Sequence, residues 1–296
     1  GDGREYVITN ESALKLRAED GRRITNVDIS LFIRNLPNDK PTEHFSTPDA
    51  SGSTSQAANI IEGIETGSRL FLIDEDTSAT NFMVRDELMQ RVIARDKEPI
   101  TPFLERARDL YKQADISTIL VVGSCGSYFY IADHILQMDS YKPIDITNQV
   151  RQVIADYPAP ATSAPDFQLP SSQRLFRIGS STRERKNYRG TGHVTERLKV
   201  KTSGRDGFSL GHENVNLRYV EQLADEEQTS MLAQLTRLAI ERFADQEVPL
   251  SKIIEYLTIQ IGKQGFGCVC GHSYINGRLA MPRIQEIYAC LNRYPF

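Results

Sequence analysis

Ala50-Ser51-Gly52-Ser53-Thr54-Ser55-Gln56 and, after a helical run, Leu70-Phe71-Leu72-Ile73-Asp74-Glu75-Asp76-Thr77-Ser78-Ala79-Thr80-Asn81 are the two stretches that decide how this chain is read. The second is an apolar strand ending in adjacent acids. A carboxylate at the end of a buried strand is well placed to hold Mg²⁺ through water. The carboxylate after it can orient a water at a γ-phosphate. The first stretch is a small, hydroxyl-rich loop opening a helix, which offers free N–H groups and a positive helix end to an anion. An apolar strand ending in Asp-Glu is common in α/β proteins as a plain solvated strand end. The pairing of the two stretches, with Gly52 standing 22 residues before Asp74, is what gives the acids a chemical reading.

Together they resemble the signature loop and the Walker B motif of ABC-type ATPases. The wording "ASGSTSQAANI … LIDEDTSATNFMVRDE" is similar to the family of predicted ATPases of the ABC class. The similarity runs over nearly all of the chain, with specific motifs in 45–103 and 117–150. It implies ATP and Mg²⁺, and a homodimer closed around the nucleotide. Asp74 would hold Mg²⁺ through water and Glu75 would be the general base. Ser51, Gly52 and Ser53, with Thr54 beside them, would grip the γ-phosphate bound to the other subunit. Thr77 to Asn81, including Ser78, takes the place of the D-loop, which meets the partner in ABC dimers. Asp28-Ile29-Ser30-Leu31-Phe32-Ile33 takes the place of the Q-loop. No Gln stands there, so Asp28 or Ser30 would supply the metal contact. The His that usually follows the next strand falls on Gly123 or Ser124, which makes Ser124 the candidate phosphate contact and departs from ordinary switch-His chemistry.

The chain has 296 residues, 40% apolar, with a net charge of −4. That is enough for two domains or one large one. No apolar run reaches the roughly 18 residues of a transmembrane helix, so no membrane partner is implied. Four cysteines without a paired framework suit a reducing, intracellular compartment. The first residues, Gly1-Asp2-Gly3-Arg4, carry neither an initiator Met nor a signal pattern, and read as an internal cut. Gly-x-x-x-x-Gly-Lys-Ser/Thr occurs nowhere, since Gly262-Lys263 is followed by Gln264. Because that loop holds the phosphates, this chain alone is expected to have no ATPase activity.

Strands are expected over 4–8 and 13–19, with Asp20-Gly21 as a turn. A helix is expected over 55–66, with Ala57, Ile60, Ile61 and Ile64 as its apolar stripe and Gly67 closing it. Another is expected from Met83 to Asp96. The next is capped by Thr101 and presents Phe103, Leu104, Ala107, Leu110 and Tyr111. Ser117 to Val122 is wholly apolar after its first residues and reads as a parallel strand buried on both faces. "HILQMDSY" after Asp133 looks like the last core strand of the ABC fold. Pro158, Pro160, Pro165 and Pro170 mark a linker or extended arm over 157–172.

Ser171 to Arg205 holds ten Lys/Arg against Glu184 and Glu196; this is +8 in a chain of −4, leaving −12 elsewhere. Such asymmetry points to a phosphate backbone. The expected contacts are Arg185, Lys186, Arg189, Arg197, Lys199, Lys201 and Arg205. Arg197-Leu198-Lys199-Val200-Lys201 alternates, and Ser203 to Gly207 reads as a turn into Phe208-Ser209-Leu210, giving a hairpin with one basic face. Helices are expected over 226–243 and 250–261, and from Pro282 with Ile284, Ile287 and Leu291 inward. Cys268-Val269-Cys270-Gly271-His272 lacks the usual two-residue gap of a zinc site, with Cys290 as the one plausible fourth ligand.

The sequence thus reads as α/β: an ABC-type ATPase nucleotide-binding core over 1–150, without its phosphate-binding loop, and a smaller α+β accessory domain over 151–296. By resemblance it is an ABC-class ATPase that engages nucleic acid, RNA more than DNA. One member of the family serves kinetoplastid mitochondrial RNA editing, which would place such a protein in the mitochondrial matrix; otherwise the cytoplasm is expected. Two other readings stay open. One is a non-enzymatic RNA-binding protein using the ABC fold as a dimerisation scaffold. The other is an ATPase acting on a protein complex through the basic hairpin.

Overall fold

The computed structural model describes residues 8–36, 41–86, 92–93, 97–160, 164–170, 173–178, 182–186, 193–270 and 277–296, with backbone alone in 182–186 and 193–197. The expected strand at 4–8 lies almost wholly outside these residues, as do Arg189, Gly271, His272 and most of the helix expected at 83–96.

The N-terminal part runs β1 (Leu14–Leu16), β2 (Arg22–Val27), β3 (Phe45–Ala50), α1 (Gly52–Glu65), β4 (Leu70–Asp74), α2 (Thr80–Met83), α3 (Phe103–Ala114) and β5 (Ser117–Val121). Strand β4 lies between β1 and β5, parallel to both, with Leu16 opposite Ile73 and Asp74 opposite Val121. β2 and β3 pair antiparallel through two register shifts. The apolar period of α1 does what it should. Ala57, Ile60 and Ile61 are buried with Leu14, Leu16, Phe71 and Ile73 in one core. Each large side chain so buried stabilises by about 1.5–3 kcal/mol. The end of α1 is closed by N–H bonds from Thr66, Gly67 and Ser68 to the carbonyls of Glu62, Ile64 and Gly63, the Schellman pattern.

Five expectations about this part need correction. Strand β5 is not buried on both faces: Ile119 is 57% and Val121 64% exposed. Among the described residues it pairs only with β4. The "HILQMDSY" segment does not join the parallel sheet. It forms β6 (Leu136–Asp139), which pairs antiparallel with β7 (Lys142–Asp145) across Ser140 and Tyr141, both at positive φ, the turn that suits a right-twisted hairpin. The backbone is already extended at Val84, so no helix continues from Met83 there. The N-cap position of α3 falls on Pro102 rather than Thr101, and Tyr111 faces solvent. Arg106 is buried on the inner face with Phe103 and Leu110, donating to the carbonyls of Leu31 and Pro165.

After α4 (Thr147–Ile154), the C-terminal domain holds β8 (Leu175–Arg177), β9 (Thr182–Lys186), β10 (His193–Arg197), β11 (Val200–Thr202), β12 (Gly207–Leu210), β13 (Glu213–Asn216), α5 (Glu226–Phe243), β14 (Glu247–Pro249), α6 (Leu250–Gln264), α7 (Gly267–Cys270) and α8 (Ile284–Arg293). Its strand pairs are antiparallel. Asp225 caps α5 by accepting from Gln228 N–H, and Glu226 and Glu227 occupy its first turn, where negative charge is favoured. A second core gathers Met231, Leu235 and Phe243 of α5, Ile253 and Leu257 of α6, and Ile287 and Leu291 of α8. Ile284 was expected inward but is exposed; Tyr288 and Cys290 take the inner positions.

The two parts meet across buried charge. Arg293 on α8 donates to both oxygens of Glu19, Asn59 Nδ2 reaches Glu19 at 2.9 Å, and Arg22 pairs with Glu62 and Asn59 of α1. Arg174 donates to Glu65 at 2.6 and 2.5 Å and to Asn292 at 2.8 Å. One of the ten cations of the basic segment is therefore spent inside the fold.

Candidate functional site

Ser51 caps α1. Its hydroxyl lies 3.0 Å from that of Thr54, and Thr54 Oγ1 donates to the Ser51 carbonyl at 3.0 Å. This small-residue turn packs against the exit of β1 and the 77–79 segment. A Cβ added at Gly52 would stand 3.3 Å from both Ala18 Cβ and Asp20 Oδ1, and 3.6 Å from Ala79 Cβ. Glycine is needed there for close approach rather than for its dihedrals.

Three bonds tie the start of α1 to the strand-end segment. Ser53 Oγ donates to Asn81 Oδ1 at 2.8 Å. Gln56, wholly buried, donates from Nε2 to Ser78 Oγ and accepts from Ala79 N–H, each at 2.9 Å. Ser78 Oγ in turn donates to the Asp74 carbonyl at 2.8 Å. Sequence reasoning placed Asn81 in the D-loop segment but missed its bond to Ser53, and assigned no contact to Gln56. An amide one helical turn before Ile60, on an otherwise apolar stripe, was the available signal.

Asp74 caps a 3₁₀ turn, Glu75–Thr77, by accepting from Asp76 N–H at 3.2 Å. Glu75 reaches the loop after β5. Its Oε2 accepts from Gly123 N–H at 2.7 Å and Ser124 N–H at 3.1 Å; its Oε1 accepts from Ser124 Oγ at 3.1 Å. Burial alone would raise the Glu75 pKa. The N–H groups of Ser124 and Gly123, the Ser124 hydroxyl and the Cys125 N–H outweigh it and hold the carboxyl below its ordinary value. Ser124 is thus brought to Glu75, and Ser78 to Asp74. Asp28 and Ser30 form their own turn, Ser30 N–H donating to Asp28 Oδ1 at 2.9 Å.

Residues 1–174 match the ABC_ATPase family, described as a P-loop domain. The chain belongs to this family. Residues 199–295 match a second family, the MRB1590 C-terminal domain. An uncharacterised protein of Methanocaldococcus jannaschii, MJ1628, is 32% identical over 153 residues, which is 50% of this chain and 32% of that relative. The chain thus covers about a third of the relative's length. No helix among the described residues is long and apolar enough to cross a membrane.

The basic segment forms two hairpins rather than one. In the first, Arg185 stands opposite Val194, Lys186 opposite His193 and Arg197 opposite Thr182. In the second, β11 pairs with β12, with Lys201 opposite Ser209. Leu198 and Val200 pack against the second core while Lys199 and Lys201 are exposed, so the alternation read from 197–201 holds from Leu198 onward. Arg205 is exposed and lies 3.9 Å from Asp206. Among the described residues no three His, Cys, Asp or Glu gather as metal ligands. Cys290 is buried beside Thr236, and burial pushes its thiol up to about 12.

Proposed function

We propose that the protein is an ABC-class ATPase that closes as a dimer around ATP and binds RNA through its basic hairpins. The observation that carries the nucleotide part is Gln56, which joins the start of α1 and the segment behind Asp74-Glu75 into one rigid unit. A signature loop and a strand-end carboxylate pair must move together if a partner's phosphate is to sit between subunits. Ser51, Gly52 and Ser53 present the helix end to the partner's γ-phosphate, with Thr54 and Ser78 bracing them. Asp74 and the hydroxyl-bearing residues around it are hard oxygen donors, which fit Mg²⁺. Asp74 would hold it through water, with Asp28 or Ser30 as the further contact. When bound, the ion neutralises phosphate charge. Glu75 accepts the proton of the attacking water.

The RNA part rests on Lys199, Lys201 and Arg205, exposed on a domain whose inner face is apolar, with Arg185, Lys186, Arg189 and Arg197 beside them in sequence. It is supported by the match to the MRB1590 C-terminal domain and by the resemblance to a family with a member in kinetoplastid RNA editing. A second reading, an RNA-binding protein that uses the fold only to dimerise, is favoured by the absence of a His after β5. Glu75→Gln in the full-length protein separates the two. We expect turnover to fall by about 10²–10⁴-fold with ATP affinity retained. Equal hydrolysis by mutant and parent would leave the scaffold reading standing.

A further inference from the structure

The carboxylate of Glu75 is not free in solvent; its two oxygens are held unequally. Oε2 accepts two backbone N–H bonds, from Gly123 and Ser124, while Oε1 accepts one, from the Ser124 hydroxyl. Oε2 thus takes two backbone donors and Oε1 the hydroxyl, with the Cys125 N–H adding to the donors around the carboxylate. Both backbone donors come from the rigid exit of β5, which is in register with β4 through Asp74 and Val121. They fix where the carboxylate lies. The Ser124 hydroxyl, bonded to Oε1, fixes its rotation.

We propose that Ser124 is a positioning residue for Glu75, orienting Oε1 toward the water to be activated, and is not itself a phosphate contact. This rests on the reading of Glu75 as the general base. It reassigns Ser124 from the nucleotide to the base. The other titratable groups around Glu75 are Asp74 and Asp76 on its own strand end, Cys125 on the loop, and Tyr128 on the following 3₁₀ turn. Tyr128 donates to the Met83 carbonyl at 2.7 Å, and burial drives its ionisation far up, so it stays neutral. Cys125 N–H adds to the donors that keep Glu75 ionised.

The test compares Ser124→Ala, Ser124→Thr and Glu75→Gln in the full-length protein. It measures kcat for ATP hydrolysis, ATP affinity by calorimetry, and the melting temperature. Ser124→Ala should lower kcat by about tenfold, the scale of one charge-assisted hydrogen bond. ATP affinity and melting temperature should stay unchanged, and Ser124→Thr, which keeps a hydroxyl, should restore the rate. An unchanged kcat in Ser124→Ala, with Glu75→Gln inactive, would overturn the positioning role and leave the base assignment intact. Weakened ATP binding in Ser124→Ala would overturn it too, returning the hydroxyl to the phosphate. Turnover surviving in Glu75→Gln would instead overturn the base assignment itself.

Discussion

Helix α1 is held by opposite chemistries at its two ends. Toward the strand end its contacts are neutral: hydroxyl to amide at Ser53 and Asn81, amide to hydroxyl and backbone at Gln56, Ser78 and Ala79. Toward the C-terminal domain it presents Asn59, Glu62 and Glu65 to three guanidinium groups, those of Arg22, Arg174 and Arg293, through direct pairs or through Glu19. Neutral hydrogen bonds each contribute about 0.5–1.5 kcal/mol net. A buried ion pair contributes little against an apolar replacement but is costly to break from one side. Both ends are thus held fast, the nucleotide end by several modest neutral bonds and the domain end by buried charge that keeps it shut.

The largest expected effect breaks the shut end. Arg293→Met leaves Glu19 buried beside Asn59 without its bidentate partner and should destabilise by about 3–5 kcal/mol, measured by urea unfolding. The pH dependence sharpens the point. Burial would raise the Glu19 pKa, but the charges of Arg293 and Arg22 and the bonds from Arg293 and Asn59 hold it below its ordinary value. A depressed carboxylate contributes stability above the ordinary carboxylate range and loses it as pH falls through the folded value. The parent should therefore lose stability on acidification, and Arg293→Met, already weakened, should lose less. A parallel pair of pH curves would mean that the arginine acts through packing.

A middle effect is expected at the other end. Gln56→Leu keeps the volume but strands the Ala79 N–H and should cost about 1–3 kcal/mol. It should reduce turnover more than stability alone explains, read as activity at a temperature where the mutant is fully folded. Unchanged turnover would mean that α1 and the strand end need not move together.

Much of this comparison's first half was legible in the sequence, and little of its second. Helix α1, its closing turn and β4 follow from local periodicity and spacing, so Ala57, Ile60 and Ile61 could be placed inward from the chain alone. The lysine alternation at 199 and 201 was legible for the same reason. Ile119 and Val121 could not be placed, because an apolar strand carries no record of whether anything covers its second face; burial belongs to its neighbours. Arg174 read as one more cation in a basic run, since its partners Glu65 and Asn292 lie more than a hundred residues away in the chain. Ser124 could be located but not connected, as its bond to Glu75 depends on the parallel register of β4 and β5.

The smallest effect on the fold should come from the basic hairpin. Lys199→Gln with Lys201→Gln removes two exposed charges and should change stability by no more than about 0.5 kcal/mol. If both meet phosphates of a single strand, the slope of log K against log salt should flatten by about 1.4, from roughly 0.7 per phosphate, read by anisotropy with a labelled single-stranded RNA. Because phosphate contacts carry little base information, all sequences should weaken alike. An unchanged slope would turn this face toward an acidic protein surface.

Gly63 lies in the last turn of α1. A Cβ there would come within 2.8 Å of the Phe71 ring and 3.0 Å of Leu14. The absent methyl group acts as a gauge, setting how far the helix stands off the sheet. Ser51 rides on one of these bodies and Asp74 on the other, so the gap between the two halves of the site is set from the far end of the helix. A side chain at 63 would shift that gap without touching any residue that lines it.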